Sequence, residues 1–406
     1  MKKVFAIALG VMTATGGFLD AGAITTAAAA GANFGLGLVW AMVLATVAVM
    51  LLVEMSGRLT AMSGKTYADG IRERFGFKFY LLPLTSEVVA NSLLLAADLG
   101  GMSIALALLT GISWHVLLPV SAMLVFVMVW RAPFSLIENG PSLFGLLALA
   151  VVAGVLAMGG PPAELVPTLW QPPIEDGQLA EYLFIAAAIL GAVISPYLLY
   201  FYSSGAGEER WSRRSLGINR ATAVLGMGFG SVTALALIVL SAIVLAPAGI
   251  SGGTLPEIGL TLVQPFGTIG GILFAVILFT TCLGASLEVV LSLSYNIAQG
   301  FGWEWGETKK PAKAARFNLL LIVFIGLGLG LSLLGSDPLQ LALFGSAFTA
   351  LVLPISLLPF LVLMNDPDYL HDRVNGAFGN LALGGILAIS FVVAVVSIPL
   401  LILSGG

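Results

Sequence analysis

Long apolar runs, separated by short polar and charged stretches, dominate the chain. A helix that crosses a bilayer needs about 20 mostly apolar residues. Eleven such runs follow one another, over roughly 5–30, 36–57, 80–110, 114–131, 141–159, 179–203, 218–246, 267–299, 317–334, 338–364 and 379–403. Each is expected to be a membrane-spanning helix, which makes the fold class an all-α integral membrane protein. Lys2 and Lys3 precede the first run, as in a signal peptide. That run outlasts an ordinary signal core, carries Asp20 and leads straight into the second, so it is expected to stay as a span. The Pro-rich stretch Gly159 to Pro173 and the stretch Pro247 to Pro265 read as loops on the outer side.

The charges sort the connections into two classes. With eleven spans, one side of the membrane receives the N-terminus and every even-numbered connection. That side takes Lys2, Lys3, Arg58, Lys65, Arg72, Arg74, Lys78, Arg131, Arg210, Arg213, Arg214, Arg220, Lys309, Lys310, Lys313, Arg316 and Arg373, all 17 basic residues. The other side has only acids, Glu164, Glu175, Asp176, Glu257 and Asp337. Cytoplasmic loops are the basic ones, so the N-terminus is expected inside and the C-terminus outside. One missed or extra span in mid-chain would scramble this separation. The basic loops read as topology signals and lipid contacts, not as a nucleic-acid surface.

Composition narrows the chemistry. Only 9% of the 406 residues are charged and mean hydropathy is +1.04, too little charge to coat a soluble domain, which carries roughly 25%. With 1 Cys and 2 His, a disulfide scaffold, a zinc cluster and bis-His haem ligation are excluded. No His-Glu-x-x-His pair or convincing nucleophile–base pair is present, so the chain is not expected to be an enzyme. His115 and His371 fall at span ends or loops, and Cys282 reads as a small core residue.

Two spans look broken. The first contains Gly16-Gly17-Phe18-Leu19-Asp20-Ala21-Gly22-Ala23 and the sixth Gly191-Ala192-Val193-Ile194-Ser195-Pro196-Tyr197. Each places helix breakers and a polar group in mid-span. Five spans separate them, an odd number, so spans 1–5 and 6–10 are expected to be inverted copies, with an eleventh helix added. Matching interruptions in two halves point to a transporter's binding site. A break frees backbone carbonyls to hold a cation, and such backbone is tolerated only against protein or a wet cavity. Asp20 adds weight, because a carboxylate at mid-bilayer costs about 2.5–3.5 kcal/mol on insertion scales. Glu87, Asn91 and Asp98 of span 3 return to one helix face, Asp98 within about 20° of Glu87. They form a polar stripe for an ion or proton, or a structural hydrogen-bond stripe. Glu288 lies mid-span 8 among serines. Glu54 and Arg58 read as an ion pair or gate element at the inner end of span 2. Trp303-Glu304-Trp305 reads as an interface anchor.

Gly31-Ala32-Asn33-Phe34-Gly35, Leu38-Val39-Trp40, Leu51-Leu52, Glu54, Arg58-Leu59, Ser63-Gly64-Lys65 and Ile71-Arg72-Glu73-Arg74-Phe75-Gly76 resemble the NRAMP family of divalent metal transporters. Tyr200-Phe201-Tyr202-Ser203 is similar to that family's Tyr-Leu-His-Ser, and Leu353-Pro354 and Leu358-Pro359 fit its tenth helix. The resemblance spans nearly the whole chain. It implies a LeuT-like inverted repeat with helices 1 and 6 broken, and alternating access. The chain is then a single transporter domain over 1–406, with repeats at 1–159 and 179–364 and an extra helix at 379–403.

The resemblance also implies a site, and this chain departs from it. The family's Asp-Pro-Gly-Asn reads Asp20-Ala21-Gly22-Ala23 here, and its Met-Pro-His reads Ser195-Pro196-Tyr197. Carried over, the metal residues are Asp20, Ala23 in the place of Asn, Ser195 in the place of Met, and carbonyls of Gly17 and Ala192. The family's helix 10 Gln looks like Val352. Both helix 6 His places are Tyr197 and Tyr202. Asp98 matches one acid of the family's proton route, while Gly101 stands where a second is expected. Asp20, Asp98, Glu87, Asn91, Tyr197 and Glu288 are thus the candidates for handling an ion or proton. Losing thioether and imidazole shifts a site toward Mg²⁺, Ca²⁺ and Mn²⁺, and a roomier oxygen site suits a partly hydrated Mg²⁺. The expectation is Mg²⁺ import, with Mn²⁺ as a second substrate and weak or no proton coupling. The alternatives are a proton-coupled Mn²⁺/Fe²⁺ importer and an amino-acid or other organic-solute transporter on the same fold. No resident cofactor, no nucleic-acid partner and a monomer in the bilayer are expected.

Overall fold

A computed structural model describes residues 19–131, 146–174, 177–306, 309, 312–334 and 337–403. The regular elements are α1 (Ala21–Phe34), α2 (Val39–Ser63), α3 (Tyr67–Phe75), α4 (Phe77–Thr110), α5 (Trp114–Arg131), α6 (Leu149–Ala157), α7 (Leu179–Val193) and α8 (Pro196–Glu208). They continue with α9 (Leu216–Val244), α10 (Leu255–Gly300), α11 (Ala315–Leu333), α12 (Pro338–Leu363), the single turn α13 (Pro367–Leu370) and α14 (Ala377–Leu403). Among the described residues nine helices are long and apolar enough to cross a bilayer, counting α7 and α8 as one interrupted span. Described parts of the first and fifth spans, α1 and α6, accompany them.

The broken sixth span forms the centre. In its most apolar window 94% of residues are buried inside the protein, against 22% in α5 and 28% in α14, which belong to the lipid-facing rim. α1 is thin enough to lie beside it. Its sequence is largely Ala and Gly, and a Cβ on Gly31 would stand 2.1 Å from the Ile238 carbonyl of α9. Gly191 does the same for α7, where a Cβ would meet the Ser346 carbonyl of α12 at 1.9 Å. Small residues thus let backbones meet directly, the usual way helices pack without a hydrophobic drive between them.

Two expectations change. Pro247 to Pro265 is not loop throughout, since α10 already starts at Leu255 and bends at Gly267, whose φ is 60°. Pro256 sits in the first turn, where its missing N–H costs nothing. The Thr254 side chain caps that turn by accepting from the Glu257 amide. Leu255, Ile258 and Leu262 then bury one face of the segment before the bend. The connection from span 2 to span 3 also contains a helix, α3. It is capped by Thr66, and its Tyr67 hydroxyl donates to the Ser356 carbonyl of α12.

Candidate metal centre

The start of α1 gathers two carboxylates. A helix leaves its first amides without intrahelical partners, and here acids take two of them. Asp20 is the N-cap, and its Oδ1 accepts from the Ala23 amide at 2.6 Å. Asp98 reaches over from α4, and its Oδ1 accepts from the Ala21 amide at 3.0 Å. Both side chains are almost fully buried. The positive end of α1 offsets part of what their burial costs. Ala23, in the place of the family's Asn, contributes its capping amide and no side-chain donor.

The sixth span breaks between α7 and α8. Pro196 has no N–H, so the Ala192 carbonyl four residues before it cannot receive its helical bond. Ile194 and Ser195 leave helical geometry, with ψ of 46° and 122°. Serine at an N-cap normally bonds the first turn. Ser195 makes no such bond, and its Oγ is buried without a partner. Ser346 of α12 joins them, a residue the sequence reading did not single out. A Cβ on Gly22 would touch Ser346 Oγ at 2.5 Å and Asp20 Oδ1 at 3.1 Å, so both oxygens border one small space. Ser346 Oγ and Asp98 Oδ2 are likewise buried with no hydrogen-bond partner. Val352 lies about 120° around α12 from Ser346 and is buried.

Other candidates divide into two groups. Tyr197, the second residue of α8, lies in the field of Asp20, Asp98 and Glu288, and its carbonyl accepts from Ser292 Oγ at 3.2 Å. Glu288 of α10 also acts on Asp98. Cys282, expected as a plain core residue, is buried beside Asp98, and a Cβ on Gly101 would stand 2.7 Å from its Sγ. Glu87 and Asn91 are not at this pocket's hydrogen bonds. Glu87 accepts from Asn91 Nδ2 at 2.9 Å and from Ser356 Oγ at 3.0 Å, which ties α4 to α12. Gly17 lies outside the described residues.

In the C-terminal half of α2, Glu54 pairs with Arg58 at 3.6 Å and with Arg220 at 3.5 Å. Arg58 also donates to Asn375 Oδ1 at 2.6 Å, joining α2 to the segment before α14. His115 and His371 are exposed. Among the described residues no three His, Cys, Asp or Glu side chains cluster as a metal cage. The start of α1 instead gathers two carboxylates and the Ser346 hydroxyl, while the α7–α8 break carries the Ser195 hydroxyl and the freed Ala192 carbonyl.

Comparison with known proteins identifies the family and the fold. Residues 10–400 match the Nramp family, described as natural resistance-associated macrophage protein-like. The divalent metal cation transporter MntH of Erwinia tasmaniensis is 26% identical over 411 residues, which cover 96% of this chain and 94% of that protein. The crystal structure of the Eremococcus coleocola manganese transporter, with an aromatic bis-isothiourea substituted compound, superposes with TM-score 0.77 at 18% identity. It covers 97% of this chain and 86% of that one. Mhp1, a nucleobase-cation-symport-1 family transporter, superposes with TM-score 0.64 at 12% identity, over 98% of this chain and 91% of that one. The fold shared by these transporters is the broken-helix, inverted-repeat fold expected for this chain.

Proposed function

Because the chain belongs to the Nramp family, a family of multi-pass membrane proteins, we propose that it imports a divalent metal ion by alternating access, with Mg²⁺ as the main substrate and Mn²⁺ as a second. The observation that carries this reading is the donor set. Asp20, Asp98, Ser195, Ser346 and the Ala192 carbonyl are all oxygen ligands, and three of their oxygens are buried without another partner. Such donors suit hard cations. Mg²⁺ sheds water reluctantly and is usually held by one or two carboxylates with several waters retained. Ser195 in place of a thioether and Ala23 in place of an amide leave room for those waters. The Cys282 thiol lies against Gly101 and neighbours the Asp98 carboxylate.

The same geometry weighs against an organic acid as substrate. An unwound helix start binds carboxylates through its free amides. Here Asp20 and Asp98 already occupy the amides of Ala23 and Ala21. Their charge repels a second anion.

In this reading Asp20 and Asp98 neutralise the ion, and Ser195, Ser346 and Ala192 replace part of its water. An inside-negative membrane potential supplies about 2.3 kcal/mol per charge per 100 mV, roughly twice that for a divalent ion. Protons are then not required as a driving ion. With the basic loops inside, the N-terminus is cytoplasmic and the C-terminus extracytoplasmic, and the transporter works as a monomer. The test is uptake into proteoliposomes with a pH-sensitive dye inside. Mg²⁺ entry without acidification, competed weakly by Cd²⁺, supports the reading. Strong Cd²⁺ and Mn²⁺ entry with acidification, and none of Mg²⁺, would instead establish the proton-coupled Mn²⁺/Fe²⁺ importer.

A further inference from the structure

Below the metal centre, α10 carries a polar row on the face it turns to α8. Ser292 Oγ donates to the Tyr197 carbonyl at the top of α8. Gln299 Nε2 donates to Ser204 Oγ near its lower end, at 2.9 Å. Asn296 lies four residues after Ser292 and three before Gln299, so it falls on the same face between them. Glu288 heads the row, within electrostatic reach of Asp98 and Tyr197. From Glu288 to Gln299 the row is roughly 16 Å long at 1.5 Å per residue. It runs from the metal centre toward the basic connections.

Asn296 is the unusual member. It is 1% exposed, and neither its Oδ1 nor its Nδ2 has a hydrogen-bond partner. Its backbone, by contrast, is pinned. Tyr80 donates to the Asn296 carbonyl at 2.8 Å, and Gly300 packs directly against the Tyr80 ring. Leaving a buried amide unpaired costs about 1–3 kcal/mol. An apolar residue would fit this place better if packing were its only task.

Gln299 closes the row beneath it. Both ends of its side chain are held, Nε2 on Ser204 of α8 and Oε1 by Thr66 Oγ1 at 2.9 Å. Arg72 of α3 donates to its carbonyl at 2.6 Å. Gln299 therefore joins α10, α8 and the start of α3 across the inner end of the row.

We propose that Asn296 is a relay ligand for the divalent cation on its way from the Asp20 centre to the cytoplasm, and that the Gln299–Ser204–Thr66 hydrogen bonds are the latch that opens to release it. This rests on the reading of the chain as a divalent metal transporter. When the latch parts, water and the ion reach the Asn296 oxygen, which then gains the partner it lacks in the closed form.

The experiment uses the full chain in proteoliposomes, with whichever of Mg²⁺ or Mn²⁺ the wild type carries. Asn296→Leu should slow uptake about tenfold, the size of one lost polar interaction on the path. It should leave calorimetric binding of the ion unchanged, and the melting temperature unchanged or higher. Separately, Asn296→Cys should react with a charged methanethiosulfonate reagent applied from the cytoplasmic side, while wild type, whose single Cys282 is buried, stays unmodified. Adding Gln299→Ala should speed that reaction, and saturating metal should slow it. Wild-type flux in the Asn296→Leu protein, or an Asn296→Cys thiol that stays unreactive with and without Gln299→Ala, overturns the proposal while leaving the Asp20 centre standing. A wild-type protein that neither binds nor carries either ion overturns the metal-transporter reading itself.

Discussion

Asp98 of α4 and Asp20 at the start of α1 share one helix N-terminus: Asp98 Oδ1 takes the Ala21 amide at 3.0 Å, and Asp20 Oδ1 takes the Ala23 amide at 2.6 Å. The relationship links the third span to the start of α1. It also leaves Asp98 Oδ2 buried without a hydrogen-bond partner. A carboxylate oxygen held at the same helix start as Asp20, with only the weakly donating Cys282 thiol near its side chain, is placed to serve a cation.

Asp98→Asn separates the two roles of that side chain. The amide oxygen still accepts from Ala21, so the melting temperature is expected to stay close to wild type. The charge is gone, and metal uptake should fall at least about tenfold, a loss of roughly 1.4 kcal/mol or more on the transport barrier. Asp98→Ala removes both roles and should lower melting as well. Uptake and thermal melting of the two variants together check this.

Selectivity should follow the donor atoms. Restoring a thioether and an amide with the double substitution Ser195→Met and Ala23→Asn supplies softer ligands and fills space needed by water. Cd²⁺ and Mn²⁺ should then compete more strongly against Mg²⁺ uptake. Unchanged competition would show that Ser195 and Ala23 lie off the ion's path.

The contact between α7 and α12 leaves no room at Gly191. A Cβ there stands 1.9 Å from the Ser346 carbonyl and 2.8 Å from the Ala350 amide. Gly191→Ala is expected to destabilise the protein by about 1–3 kcal/mol through overpacking, with uptake lost. Gly205→Ala in α8, where no atom lies within 4 Å of the new Cβ, should retain both. Melting temperatures in detergent compare the two directly.

One surface pair carries a pH signature. Arg213 bonds Asp372 at 2.5 Å and holds its carboxyl below the ordinary 3.8. A depressed carboxyl stabilises the fold above its unfolded value, and that contribution is lost as pH falls through the depressed one. Both groups are exposed, so the effect is small. Arg213→Ala should lower melting slightly at neutral pH, and the difference from wild type should shrink steadily as pH falls below 3.8 and end once the carboxyl is protonated in both proteins. A difference that persists there would mean Arg213 acts by something other than this pair.

Much of this was legible in the sequence, for identifiable reasons. Spans 2–4 and 6–11 follow from apolar length alone. The break in the sixth follows from Pro196, whose missing N–H acts locally. Asp20 stood out because a carboxylate in an apolar run is costly wherever it points. Ser346 was not legible, because a serine in a membrane helix has no cost that marks it, and only the approach of α12 to Gly22 and Gly191 reveals it. The segment Leu255 to Phe266 was hidden for the opposite reason. Its prolines read as loop, yet Pro256 falls in the first turn, where it favours a helix. Periodicity placed Glu87, Asn91 and Asp98 on one face. It could not show that Asp98 meets α1 while Glu87 meets Ser356, since that depends on which helices cross at each height. Asn296 and Gln299 likewise gained meaning only from their spacing against α8.

Mg²⁺ entry into proteoliposomes under an inside-negative potential at equal pH on both sides, compared between wild type and Asp20→Ala, bears most directly on the oxygen-lined centre. Rapid entry in wild type, reduced to background by removing that one carboxyl, is the predicted result. Equal entry in both proteins would contradict it.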